Sequence, residues 1–182
     1  FTEAFFDEVA EAAGQDPYQL RRKLLAGKPR HVKVLDLAAE KAGWGEPIAE
    51  GKGRGISLQE SFGSLVAQVV DVTLTGGKIG VDLVGFAIYA DFAVSPDGLT
   101  AQMESGIIYG LSAAMYGEVK VVNGAVQQTA FHDYPVTRMQ DSPVIETHIL
   151  NSGEAMGGAG EPGTPGIAPA LANAIYQATG TR

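Results

Sequence analysis

Residues 157–166 read GGAGEPGTPG, and one carboxylate, Glu161, stands inside the glycines with Pro162 directly after it. Gly158, Gly160 and Gly163 have the G-x-G-x-x-G spacing of a dinucleotide loop. That loop needs a strand running straight into the glycines, a helix starting within them, and an acidic residue about 20 positions later. Here the strand signal VIETHIL ends at Leu150, and Pro162 and Pro165 delay the next helix. No acidic residue follows Glu161, whose own charge would repel a pyrophosphate. No Gly-Lys-Ser/Thr follows either, so a P-loop is excluded. A second account fits better. Glycines strip bulk from around the carboxylate, so that something planar could come close, and prolines keep it aimed. Partial burial would then raise its pKa and make it a usable base. On chemistry alone an exposed turn glutamate is the simpler account, and both stay open.

The other candidates are weaker. His31, His132 and His148 have no i,i+4 or H-x-H spacing, so no metal ligand is named. His132 and Asp133 are neighbours in an extended stretch and would point to opposite faces. There is no G-x-S-x-G elbow. The absence of cysteine excludes thiolate chemistry, disulfides and an iron–sulfur cluster held by this chain alone.

With 182 residues, 45% hydrophobic and 19% charged, the composition is that of a globular chain. A net charge of −8 argues against nucleic-acid binding, and no apolar run is long enough for a membrane span. The chain opens on Phe1 with no visible signal peptide, which is expected of a processed or excised piece.

Three amphipathic segments come first. Thr2 could cap a helix with Phe5, Phe6, Val9 and Ala13 inward, and Asp16–Pro17 could start a second with Leu20, Leu24 and Leu25 on one face. Val32, Leu35, Ala39 and Ala42 mark a third, ending at Gly43. Residues 44–55 read as a glycine- and charge-rich linker. From Val66 the period changes to two, giving strands on either side of Gly76–Gly77. Ser95-Pro96-Asp97-Gly98 is a turn signal. Residues 100–118 form a helix with a stripe of Gly106, Gly110, Ala113, Ala114 and Gly117. Each glycine costs about 1 kcal/mol against alanine, so another backbone or a flat ligand must lie close. A hairpin at Asn123–Gly124, the strand VIETHIL and a last helix with Leu171, Ile175 and Ala178 inward complete the chain. The expected fold is α+β: a helical segment (1–43), a linker (44–55), then a domain (56–182) of mixed or antiparallel sheet with packed helices.

Long stretches carry a resemblance. GGAGEPGTPGIAPALANAIYQATG, FFDEVAEAAGQDPYQLRRKLL, LAAEKAGWG, GRGISLQESFGSLVAQV, SPDGLTAQMESGIIYGLSAAMYGE and NGAVQQTAFHDYPVTRM together resemble the carboxy-terminal part of the molybdenum-binding subunit of the xanthine dehydrogenase and aldehyde oxidase family. The similarity is greatest to the branch of the isoquinoline 1-oxidoreductase beta subunit. The resemblance implies that Glu161 is the active-site base beside the molybdenum, that Gln102 contacts the molybdopterin, and that Gly160 belongs to the cofactor-binding surface. Relatives commonly carry Asp-x-Gly before the turn where this chain reads YADFAVSP.

The implied activity is oxidative hydroxylation of an aldehyde or an N-heteroaromatic carbon with water as oxygen source. The implied cofactor is molybdopterin, with the cytosine dinucleotide form as one option. A [2Fe–2S] cluster would sit only on a partner, a ferredoxin-like small subunit. The upstream remainder of the subunit is the other expected partner, because the family's earlier cofactor loops are not found here. The isolated piece is expected to be inactive. Compartment is open, cytoplasmic by default, with export through a twin-arginine leader the alternative. The competing reading is a non-catalytic folded piece that serves assembly and holds no cofactor.

Overall fold

In the computed structural model, which describes residues 1–151 and 153–181, three helices come first: α1 (Thr2–Ala12), α2 (Pro17–Leu24) and α3 (Pro29–Lys41). Strands β1 (Lys52–Ser61), β2 (Ser64–Thr75) and β3 (Lys78–Asp91) follow, then α4 (Pro96–Tyr116). A short ribbon, β4 (Val121–Val122) with β5 (Ala125–Val126), precedes β6 (Val144–Asn151) and α5 (Thr164–Thr179). The main sheet has the order β1-β2-β3-β6. β1, β2 and β3 are antiparallel neighbours, while β6 returns after α4 to lie parallel to β3. The expected α+β class with a mixed sheet is what the chain adopts.

Both hairpins turn on two residues. Gly76 and Gly77 close β2–β3 with φ of +57° and +77°, and Phe62 and Gly63 close β1–β2 at +55° and +79°. Such tight turns require two left-handed residues, which matches the twist of the flanking strands. Phe62 meets that requirement without being glycine.

Alternation sorts the side chains into two layers. Val66, Val70, Val72, Val84, Phe86 and Ile88 pack under α4 and α5 against Met103, Ile107, Ile167 and Leu171. Leu65, Ala67, Val69, Ala87 and Tyr89 face the other way, against Val34, Leu35, Ala38 and Ala39 of α3. Both sheet faces are therefore covered, one by the early helices and one by the late ones.

Several sequence expectations need correction. Lys52–Gly55, read as the end of a linker, are the first residues of β1, and Gly53 and Gly55 are buried. The cause is a smooth strand face: Gly53, Gly55 and Ser57 alternate beneath α5. A Cβ on Gly53 or Gly55 would overlap the carbonyl oxygens of Ala174 and Ala170. Thr2 does not cap α1; it is the first helical residue, and Phe1 holds the cap position without a side-chain bond. Phe5 and Val9 point to solvent while Ala10 is buried, because α1 lies on α5 through its small residues. Leu24 is also exposed. Ser95–Gly98 is the start of α4 rather than a free turn, with the Ser95 hydroxyl accepting from the Gly98 amide and Pro96 in the first turn. The Asp16 cap forms as read, its carboxylate accepting from the Gln19 amide at 2.8 Å.

Side chains knit the late helix to the sheet and the early helices to both. The buried Ser57 hydroxyl donates to the Gly166 carbonyl at 2.7 Å, and Asn173 donates to the Ile56 carbonyl at 3.2 Å. The Gln177 amide oxygen accepts from the backbone N–H of Arg54, and the Glu3 carboxylate from that of Leu58. Glu3 also pairs with the buried Arg21 at 3.0 Å.

Because the α5–β1 contact is backbone against backbone, Gly55→Ala should cost about 3 kcal/mol or more in denaturant unfolding. Gly80→Ala, whose added Cβ would stand 3.8 Å from the nearest atom, should be close to neutral in the same experiment.

Candidate functional site

Five hydrogen bonds anchor the glycine loop and the first residue of α5. The Gly158 amide donates to the Phe62 carbonyl at 2.7 Å, and the Ser64 hydroxyl donates back to the Gly158 carbonyl at 2.8 Å. The Gln68 side chain, fully buried in β2, donates to the Gly163 carbonyl at 2.6 Å. The Thr164 amide donates to the Glu161 carbonyl at 2.9 Å, and the Thr164 hydroxyl to the Gly106 carbonyl of α4 at 3.2 Å. Pro162 is buried between these anchors.

The glycines of the loop divide by role. A Cβ on Gly158 would come 2.7 Å from the Phe62 Cβ, and one on Gly163 would come 2.9 Å from the Met103 carbonyl oxygen. These positions are small because this chain's own backbone leaves no room. Gly160 differs. Its φ is outside the left-handed region, and nothing lies within 4 Å of where its Cβ would be. Neither conformation nor packing within the chain requires glycine there.

The stripe on α4 has the close neighbour that its spacing demanded. A Cβ on Gly110 would stand 2.7 Å from the Thr164 carbonyl oxygen, and Gly106 faces Thr164 and Gly163. The neighbour is the start of α5, a backbone. Ala113, Ala114 and Gly117, the rest of the stripe, are exposed.

Two open hollows meet at Gly160. One, of about 450 Å³, lies between the Phe92–Ser95 segment, the first two turns of α4 and Met156–Gly160, and Gln102 lines it. The other, of about 640 Å³, is walled by Phe62, Ser105, Tyr109, Thr164 and Pro165, and Glu161 lines it. The structure thus brings the three sequence-selected residues, Gln102, Gly160 and Glu161, to one continuous surface. The side chains of Gln102 and Glu161 are both exposed and make no hydrogen bond or ion pair among the described residues. The burial expected around the Glu161 carboxylate is supplied by no element of this chain. Phe62 and Tyr109 were not singled out from the sequence. Only the Phe-Gly turn and the position of Tyr109 one turn beyond Ser105 could have pointed to them.

The histidines stay apart. His31 faces Glu60 at 3.2 Å, His148 is on β6, and His132 is exposed in the 127–138 loop. Asp133 closes a local turn instead of serving His132. The amides of Thr129 and Ala130 donate to its carboxylate and hold its pKa below the usual carboxylate range. Among the described residues no group of three or more histidines and carboxylates could hold a metal ion. No described helix is long and apolar enough to cross a membrane.

Comparisons with known proteins show what the chain is similar to. No family model matches the chain. It is 33% identical, over 98% of its length, to the isoquinoline 1-oxidoreductase subunit beta of Brevundimonas diminuta. It is 31% identical, over 99% of its length, to a membrane-bound aldehyde dehydrogenase (pyrroloquinoline-quinone) of Gluconacetobacter polyoxogenes. The chain spans 23% and 26% of those two relatives, about a quarter of each. Among solved structures, a Cu,Mo-CO dehydrogenase shares the fold over 64% of this chain and 16% of its own, at a TM-score of 0.56 and 19% identity.

The two loop glycines should separate in a denaturation experiment. Gly158→Ala is expected to lose about 1–3 kcal/mol through overpacking against the β1–β2 turn. Gly160→Ala should stay within about 0.5 kcal/mol of the parent.

Proposed function

This chain belongs to the xanthine dehydrogenase and aldehyde oxidase family of molybdenum-binding subunits, and from that premise we propose that it is the carboxy-terminal, cofactor-facing part of a molybdenum hydroxylase. The proposed activity is oxidative hydroxylation of an aldehyde or an N-heteroaromatic carbon, with water supplying the oxygen. Electrons would leave through a separate [2Fe–2S] subunit. The observation that carries this reading is the surface around Gly160. Among the described residues, a carboxylate with no partner and an amide with no partner flank a glycine whose Cβ position is open.

The residues fit a flat, polar cofactor. The Gln102 amide offers both donors and an acceptor to a pterin ring edge, and Gly160 offers a backbone that can be approached without steric cost. When bound, the molybdenum cofactor supplies the two-electron oxidation and lowers the pKa of the water-derived nucleophile. Glu161 receives the proton released from that nucleophile, on a side chain whose backbone is fixed by the Thr164 amide and by Pro162. Phe62 and Tyr109 flank the carboxylate and present apolar walls to an aromatic or aldehyde substrate. The remainder of the larger subunit closes both hollows, excludes water and supplies the burial that Glu161 lacks here. The cytosine dinucleotide form of the cofactor belongs to the same proposal.

The test uses the intact oxidoreductase purified with its partner subunits. Glu161→Gln should reduce turnover by about 10²–10⁴-fold, the usual contribution of a positioned base, while molybdenum content stays at the parent level. Gly160→Val should leave the unfolding midpoint in place and lower molybdenum and pterin content. Full turnover in Glu161→Gln would remove that residue from the mechanism. An intact complex with neither molybdenum nor pterin would favour the assembly-domain alternative.

A further inference from the structure

The end of β3 contains an unusual turn. Asp91 has φ of +70°, and the Phe92 amide donates across it to the Ala90 carbonyl at 2.9 Å. That is a γ-turn of the left-handed kind, which is rare and strained for a residue with a Cβ. Such strain persists only where the surroundings over-determine the conformation.

Here the surroundings come from the other end of the chain. Arg30, in the first turn of α3, donates from Nη2 to the Asp91 carboxylate at 2.8 Å, and Asp91 is 1% exposed. The same guanidinium lies over the Tyr89 ring at 4.8 Å and reaches Glu154 with Nη1 at 3.3 Å. The Gly153 amide donates to the Asp91 carbonyl at 3.3 Å, so the turn and the root of the glycine loop are joined by backbone as well. Two segments spring from this knot. After Asp91 come Phe92–Ser95, one wall of the Gln102 hollow. After Glu154 come Met156–Glu161, its other wall and the carboxylate itself.

We propose that Arg30 is a positioning residue. By pairing with Asp91 and Glu154 and stacking on Tyr89, it holds the strained turn that sets the spacing of the two walls, and so the approach of Glu161 to the reacting atoms. The catalytic part of this rests on the molybdenum hydroxylase reading; the mechanical part does not. A single planar cation with a fixed fork can bridge two carboxylates and lie on a ring at once, which a lysine ammonium cannot. Removing it would take the Arg30 ion pair from a carboxylate that is buried beside a strained backbone.

The experiment compares Arg30→Met and Arg30→Lys with the parent in the intact oxidoreductase, following amide hydrogen exchange and steady-state kinetics. In Arg30→Met, exchange at Phe92, Val94 and Gly157–Glu161 should speed up about tenfold while the core amides of β2 keep their rates. The turnover number should fall about tenfold with KM within about twofold, as for a lost transition-state arrangement rather than lost binding. Arg30→Lys, keeping the charge near Asp91, should lie between the two on both measures. Unchanged exchange in the two segments of Arg30→Met would overturn the proposal. So would acceleration spreading equally into β2, because Arg30 would then be only a general structural contact. The exchange result stands by itself if Glu161→Gln turns out fully active. In that case the functional reading falls and the tether remains.

Discussion

The close seating of α5 on β1 is the contact from which the rest of the arrangement follows. A helix normally stands about 10 Å from a sheet because side chains fill the gap. Here the strand offers Gly53, Gly55 and Ser57 and the helix offers Gly166, Ala170 and Ala174, so the two backbones nearly touch. The approach is bought with glycine entropy in a strand, and it is held by Ser57, Gln68 and Asn173, which donate to the Gly166, Gly163 and Ile56 carbonyls across the contact. With α5 fixed in depth and direction, its first turn is fixed too. Glu161 sits two residues before the Gly163 cap and has little freedom left in its backbone.

The second packing contact, between α4 and the start of α5, uses the same device. Gly106 and Gly110 let the Thr164 region settle against α4, which places the second turn of that helix, with Gln102, beside the glycine loop. The surface around Gly160 is therefore assembled from a strand hairpin, a helix and a loop, which come from three separate parts of the sequence. Two close contacts between backbones set the depth at which these elements sit against one another.

Much of this was legible in the residues. Glycine and alanine at three- and four-residue spacing in α4 announced a close neighbour, and the Asp16–Pro17 cap and the Gly76–Gly77 and Asn123–Gly124 turns fell where their chemistry requires. Local signals of this kind act within a few residues and survive into the fold. What could not be read was set by distant partners. Gly53-x-Gly55-x-Ser57 has the period of two of a strand, yet glycines interleaved with Lys52 and Arg54 look like a linker until α5 is laid across them. Phe5 and Val9 have a helical period that suggests burial, but α1 meets its neighbour through Ala10, and no local rule decides between those faces. Glu161 drew attention through its glycine and proline neighbours, but the roles expected of Gln102, Gly160 and Glu161 came from resemblance, because nothing in the sequence shows that residues 102 and 161 share a surface. The Arg30–Asp91 pair, 61 residues apart, left no sequence signal at all.

The side-chain oxygens of Glu3 and Gln177 that occupy the outward amides of β1 have a consequence for how such a unit behaves in a crowded cell. An unprotected strand at the rim of a sheet invites a second molecule to zip onto it and start an aggregate. Here the rim that precedes everything else in the sheet is already sealed by the first helix and the last. Without the Glu3 carboxylate the Leu58 amide would lose this partner while β1 kept its place in the sheet, and the strand would be open to pairing at that point. Glu3 thus occupies one point of the β1 edge as well as pairing with Arg21.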